Sequence, residues 1–172
     1  RRIPQIISLL KAGKNVALVS NAGTPTISDP GFKLVREAMQ AGIPVVSIPG
    51  PSAVLTALTS SGLPTDKFLF LGYPPKKGGK RRKLFENLRA LKAIEPFNNL
   101  TIILFESPHR LLKTLENIQE VFGDIEIVIC RELTKIHEEI RREKISQSIT
   151  HFGRNKPLGE FTLLFNLIFL QS

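Results

Sequence analysis

Residues 16–31 read VALVSNAGTPTISDPG. Five apolar-rich residues lead into eleven that hold two glycines, two prolines, two threonines and a serine, and only then does a helical pattern begin. A plain strand-to-helix connection needs about two to six residues. This longer one predicts a strand, a loop that holds something, and a helix. Asp29 suits a helix cap and Pro30 the first helical position, so the helix is expected to start there. Capping leaves NAGTPTI without a purpose. Within it Gly23 permits close backbone approach, and Thr24, Thr26 and Ser28 offer hydroxyls.

Outward from this stretch, apolar strands alternate with helices at the intervals of an α/β sheet. Strands are predicted at 16–20, 45–48, 68–71, 101–105, 125–130 and 161–167, and helices at 32–41, 52–61, 80–92 and 109–122. TIILF and IEIVIC are apolar almost throughout, as in sheet interiors covered on both faces. The stretch GYPPKKGGK, 72–80, combines two prolines and three glycines with lysines, and marks a boundary between lobes 1–72 and 73–172. Segment 131–150 reads as one charged helix or as a hairpin arm followed by a short helix; the second is preferred. Ile3, Ile6, Ile7 and Leu10 share a helical face that Gly13 ends. This pattern is already under way at Arg1, so the first lobe is expected to be incomplete at its N-terminus.

The composition bounds the class. With 172 residues, 42% hydrophobic and 23% charged, the chain is that of a soluble globular protein. No apolar run approaches the roughly 18 residues of a membrane span, and no signal peptide opens it. Cys130 is the one cysteine, which excludes a disulfide framework within one chain and fits a reducing, cytoplasmic home. The net charge of +9 implies a polyanionic partner. It is concentrated in KKGGKRRKLFENLRALK, 76–92, where Lys76, Lys77, Lys80, Arg81, Arg82 and Lys83 form a candidate RNA-binding stripe. Few aromatic residues flank it, so a grip on backbone and shape is expected there rather than base stacking.

Three further loops stand at strand ends. PGPSA, 49–53, is a rigid turn whose Ser52 suits a helix cap. ESPHR, 106–110, gathers Glu106, His109 and Arg110 where strand becomes helix, with Ser107 as expected cap. RELTK, 131–135, adds Arg131, Glu132, Thr134 and Lys135. In open α/β sheets ligands bind outside the carboxyl ends of the strands, and four polar loops at such ends predict one site.

LVSNAGTPTISDPG, IPGPSA, SGLPTDKFLFLGYPP, FESPHR, RELTKIHEE and GEFTLL, in this order, closely resemble the ribosomal RNA small subunit methyltransferase I family. That family belongs to the tetrapyrrole-methylase-like class of S-adenosylmethionine-dependent methyltransferases. The resemblance covers about residues 3–167. It implies a two-lobed α/β, tetrapyrrole-methylase-like fold, usually a homodimer, without metal or membrane. It implies methyl transfer from S-adenosylmethionine to the ribose 2′-hydroxyl of a cytidine in 16S rRNA of the small ribosomal subunit. By matching positions the cofactor would be touched by Ala22, Gly23, Thr24, Ser52, Ala53, Arg131, Leu133, Gly159 and Glu160. The family usually has Asp where Asn21 stands, an aromatic residue and a glycine where Arg141 and Glu143 stand, and opens with a strand and glycine-rich loop this sequence does not show.

A ribose hydroxyl is a weak acid, so the transfer calls for a general base. The candidates are Glu106, His109 and Glu132, with Arg110, Arg131 or Lys135 to stabilise developing charge. Two rival readings keep part of this picture: methylation of a tetrapyrrole carbon, and a non-catalytic RNA-binding fragment.

Overall fold

A computed structural model of the chain describes residues 2–169. It divides into two compact units, Arg1–Ser52 and Ala53–Ser172.

The first unit holds helices α1 (Ile3–Lys11) and α2 (Phe32–Gln40). Gly13, in the left-handed region at φ 77°, turns the chain out of α1, as the sequence predicts. The strands expected at 16–20 and 45–48 do not form: both segments run irregular and mostly exposed, with Val19 80% and Ile48 79% accessible. A strand is completed by a neighbour's hydrogen bonds, and neither segment pairs in a sheet among the described residues. Apolar composition alone does not supply that neighbour. The start of α2 also differs. Asp29 and Pro30 lie in the preceding turn, and Gly31 at φ 132° occupies the cap position. A Cβ there would come 2.7 Å from Leu18 Cδ2, so the close packing of the turn on Leu18 selects glycine.

The second unit contains α3 (Ala53–Ser61), β1 (Phe68–Phe70), α4 (Gly78–Leu91), β2 (Thr101–Glu106), α5 (Leu111–Phe122), β3 (Glu126–Arg131), β4 (Glu139–Lys144), α6 (Ile145–Arg154) and β5 (Phe161–Asn166). The five strands lie in the order β1-β2-β5-β3-β4. β1 runs parallel to β2, and the other pairings are antiparallel. Alternate residues of the central strands face opposite ways. Ile102, Leu104, Ile127, Ile129, Leu163 and Phe165 pack with residues of α4, α5 and α6. Ile103, Val128, Cys130 and Leu164 pack against Val54, Ala57 and Leu58 of α3. That double cover explains why TIILF and IEIVIC are apolar at nearly every position.

The boundary of the second unit falls at 52/53 rather than at the 72/73 read from the sequence, because α3 packs on the sheet and β1 pairs with β2 inside it. Segment 131–150 follows the second of its two readings: a hairpin arm, β4, then α6.

Candidate active site

The sheet of the second unit gathers four loops at one end. β1 is parallel to β2, so both end there; β5 is antiparallel to β2 and β3, so it begins there. The register fixes this: Phe161 is opposite both Glu106 and Arg131, and Arg131 is opposite Glu139. Residues 72–75, 106–110, 131–138 and 158–160 therefore share the carboxyl end of the sheet.

Glu106 has a fully buried side chain. Its carboxylate accepts the Ser107 N–H at 2.7 Å, the Thr114 hydroxyl at 2.5 Å and an Arg110 Nη2–H at 3.2 Å. Arg110 donates the same nitrogen to the Pro74 carbonyl at 2.5 Å, tying the loop after β1 to the loop after β2. Burying an ion pair is costly, and saturating its oxygens is what makes it tolerable. With every oxygen engaged and no surface, Glu106 anchors the turn. Ser107 accepts the Arg110 and Leu111 N–H groups through its carbonyl, and Arg110 is the cap position of α5, three residues later than the Ser107 that the sequence suggests. His109 is exposed beside them.

The second pair of loops is clamped by Glu132. Its backbone is left-handed at φ 48°, and its N–H donates to the Glu160 carbonyl at 3.0 Å. Its Oε1 accepts the Glu160 N–H at 2.8 Å and the Lys135 ammonium at 3.1 Å. Lys135 also reaches Glu160 Oε2 at 3.0 Å. The backbone hydrogen bond from Glu160, then the Lys135 ammonium, hold the Glu132 carboxyl below its ordinary value. Gly159, at φ 93°, has no room for a side chain, since a Cβ would come 2.6 Å from Glu132 Cγ. Arg131 donates its Nε–H to the Leu158 carbonyl at 2.7 Å, and Leu133 packs under the loop against the α3 face of the sheet. Of the candidate residues, Glu106, His109, Arg110, Arg131, Glu132, Leu133, Gly159 and Glu160 are thus brought to one sheet end.

In the first unit, Ala22 and Gly23 are exposed, and the Ser20 hydroxyl shapes their turn by donating to both carbonyls at 3.2 and 3.0 Å. The Thr24 hydroxyl donates to the Pro51 carbonyl at 3.0 Å. Ala22–Thr24 and the turn ending at Ser52 are therefore neighbours within that unit. Ala53 begins α3 of the second unit.

The basic stripe is split by the fold. Lys76, Lys77, Lys80, Arg82 and Lys83 are exposed, but Arg81 is 4% accessible. Its Nε–H donates to Asn117 Oδ1 at 2.8 Å and its Nη2–H to the Lys113 carbonyl at 3.2 Å. Arg81 fastens α4 to α5 and offers nothing to a phosphate.

Two residues at this sheet end escape the sequence reading. Thr114 had a signal: it is a polar residue on the apolar stripe of Leu111, Leu115 and Ile118. Tyr73 had a weaker one, as the chain's single tyrosine among turn formers. Among the described residues no group of three or more His, Cys, Asp or Glu is placed to hold a metal, and no helix is long and apolar enough to cross a membrane.

Residues 1–148 match the family of tetrapyrrole (corrin/porphyrin) methylases. A ribosomal RNA small subunit methyltransferase I of Thermotoga maritima is 48% identical over 96% of this chain and 71% of its own length. The protein of that name in Synechocystis is 44% identical over 95% of the chain, which spans only 56% of that relative. Among solved structures, the methyltransferase CobJ superposes with a TM-score of 0.67 at 19% identity, over 96% of this chain and 70% of its own. A Thermus thermophilus uroporphyrin-III C-methyltransferase, solved with S-adenosyl homocysteine, gives 0.57 at 15% identity, over 98% and 75%. The structural likenesses establish the fold, and the sequence likenesses the lineage: the chain belongs to the tetrapyrrole (corrin/porphyrin) methylase family, in the branch of the ribosomal RNA small subunit methyltransferases I.

Proposed function

We propose that the chain is part of an S-adenosylmethionine-dependent methyltransferase that modifies the ribose 2′-hydroxyl of a cytidine in 16S rRNA of the small ribosomal subunit. The observation that carries this reading is 48% identity across nearly the whole chain to a relative named for small-subunit rRNA methylation. The solved tetrapyrrole methyltransferases share only 15–19% of their residues with it, which favours the RNA substrate over a macrocycle.

The residues present suit the cofactor. In the first unit Ala22 and Gly23 are exposed and small, and a Cβ on Gly23 would stand 3.9 Å from its nearest neighbour, Pro51 O, so the turn leaves its backbone open to a ligand. Ser52 follows that turn, and Ala53 opens the next helix. In the second unit the clamped backbones of Arg131–Leu133 and Gly159–Glu160 are proposed contacts. S-adenosylmethionine, when bound, supplies a methyl group on a sulfonium and so needs no covalent activation.

What remains for the protein is to hold the ribose oxygen in line and receive its proton. Positioning of this kind lowers barriers by roughly 7–11 kcal/mol. Of the three base candidates, Glu106 is saturated inside and Glu132 is occupied by Glu160 and Lys135. His109 is exposed, and its imidazole is assigned the proton. Arg110 and Glu106 act as positioning residues that fix the turn carrying it.

The test is methyl transfer from labelled S-adenosylmethionine to purified 30S particles, with the modified nucleotide mapped. The expected result is a single 2′-O-methylcytidine in 16S rRNA, with His109→Ala lowering the single-turnover rate by about 10²–10⁴-fold while RNA affinity holds. Label appearing in a corrin or porphyrin precursor and not in RNA overturns the reading.

A further inference from the structure

Tyr73 stands beyond the carboxyl end of β1 and is 53% exposed. An aromatic ring left half in water is ordinary when it is alone, but this one is built into place from both sides. The residue before it, Gly72, accepts the Phe105 N–H through its carbonyl at 2.9 Å. The residue after it, Pro74, is buried, and its carbonyl is held by Arg110 at 2.5 Å. Its ring leans on Phe105 edge to face, centroids 5.8 Å apart at 62°, and Phe105 leans in turn on Phe70 at 4.8 Å. Arg110 is itself fixed by Glu106, and Glu106 by Thr114 and Ser107. The buried carboxylate, an expensive feature with no surface of its own, thereby ends in the rigid placement of one exposed aromatic ring.

What such a ring is for follows from what comes next in the chain. Lys76 and Lys77 are exposed and lie three and four residues on, a reach of at most roughly 10–14 Å in extended chain. Lys80, Arg82 and Lys83 continue the charge along the first turns of α4. A π-face followed at that distance by cations matches a single strand of nucleic acid, whose bases stack on aromatic side chains while neighbouring phosphates meet lysines. Burial, and then the charges of Glu160 and Glu106, push the tyrosine hydroxyl above its ordinary value.

We propose that Tyr73 is a stacking platform for one unstacked base of the substrate RNA, set at the entrance to the sheet-end site and aligned with the lysines that follow it. This rests on the RNA-methylating reading and extends it: the basic stripe grips backbone, and a single base is read by stacking, which the scarcity of aromatics in the sequence argues against.

The chain has one tyrosine and no tryptophan, so its ultraviolet emission reports on Tyr73 alone. The probes are a short single-stranded RNA holding one cytidine and the same RNA with an abasic ribose at that position. The cytidine RNA is expected to quench Tyr73 and the abasic RNA to leave its emission unchanged. By anisotropy of labelled RNA, Tyr73→Leu should lose about tenfold in affinity for the cytidine RNA and nothing for the abasic one, while Tyr73→Phe binds both like the parent. Tyr73→Leu binding both RNAs as tightly as the parent, with emission unmoved, overturns the platform and leaves the methyltransferase reading standing. Equal loss on both RNAs overturns it too, since Tyr73 then serves the fold. Failure of the parent chain to bind either RNA overturns both proposals together.

Discussion

Glycine at 159 is dictated by one neighbour. Its φ of 93° lies where side chains are rarely accommodated, and a Cβ would overlap the Glu132 side chain at 2.6–2.7 Å. Alanine there would drive Glu132 off the Glu160 N–H and away from Lys135. The expected cost is about 1–3 kcal/mol from backbone strain and the broken hydrogen bond, read as a lowered midpoint of denaturation. In a Glu132→Ala background the overlap is gone, and Gly159→Ala should cost measurably less; strictly additive effects would mean the two loops are not clamped together. Acid probes the same contact. The folded-state carboxyl of Glu132 sits below its ordinary 4.5, so its contribution is present above that pH and fades as pH falls through the depressed value. The stability gap between the parent and Glu132→Gln should therefore be full at neutral pH and close below about 4.5. No sequence rule foretells this clamp. Gly159 and Glu132 are 27 residues apart, and they meet only because β5 begins beside the end of β3.

At the scale of elements, legibility followed whether a signal was local. α4 and α5 are readable from the apolar spacing of Leu84, Leu88 and Leu91 and of Leu111, Leu115 and Ile118, and β2, β3 and β5 from nearly continuous apolar runs, because both patterns record burial directly. Residues 16–20 and 45–48 carry the same apolar signal without a bonded neighbour, and pairing cannot be read from one segment. β4 was ambiguous for the opposite reason. It is an edge strand whose EIRREK carries charge at nearly every position, which protects an open edge and hides the period-two pattern. One of those charges has a partner elsewhere: Arg142 donates its Nε–H to the Ser61 carbonyl at 3.0 Å and its Nη2–H to the Ser60 carbonyl. It thereby satisfies the end of α3, where the carbonyls lack helical partners. Arg142→Ala should cost about 1 kcal/mol and loosen amide protection in the last turn of α3 specifically. Arg142→Lys, a point charge without the planar fork, should recover only part of it. Unchanged exchange rates at residues 58–61 in Arg142→Ala would show that the cap contributes nothing.

For the whole molecule, the excess of 24 basic over 15 acidic residues predicts binding that weakens with salt. Composition does not say which cations meet phosphate, and the fold separates them. Arg81 and Arg82 are adjacent in sequence and opposite in fate. Arg81 is buried against Asn117 and the Lys113 carbonyl, while Arg82 is open to solvent and pairs with Glu86 on its own helix at 3.2 Å. That surface pair is weak and yields readily to a phosphate. Neutralising Lys80, Arg82 and Lys83 together as glutamines should flatten the slope of log affinity against log salt by about 0.7 for each single-strand phosphate left without its cation, with thermal stability nearly unchanged. Arg81→Gln should do the reverse, keeping the salt slope while lowering the melting temperature, because it unfastens α4 from α5. If the triple variant keeps the parent's slope, the RNA backbone docks on another face of the molecule; if Arg81→Gln flattens it, the buried guanidinium reaches solvent in the bound state. The paired outcome discriminates because one helix carries both residues, and only the direction each side chain points differs.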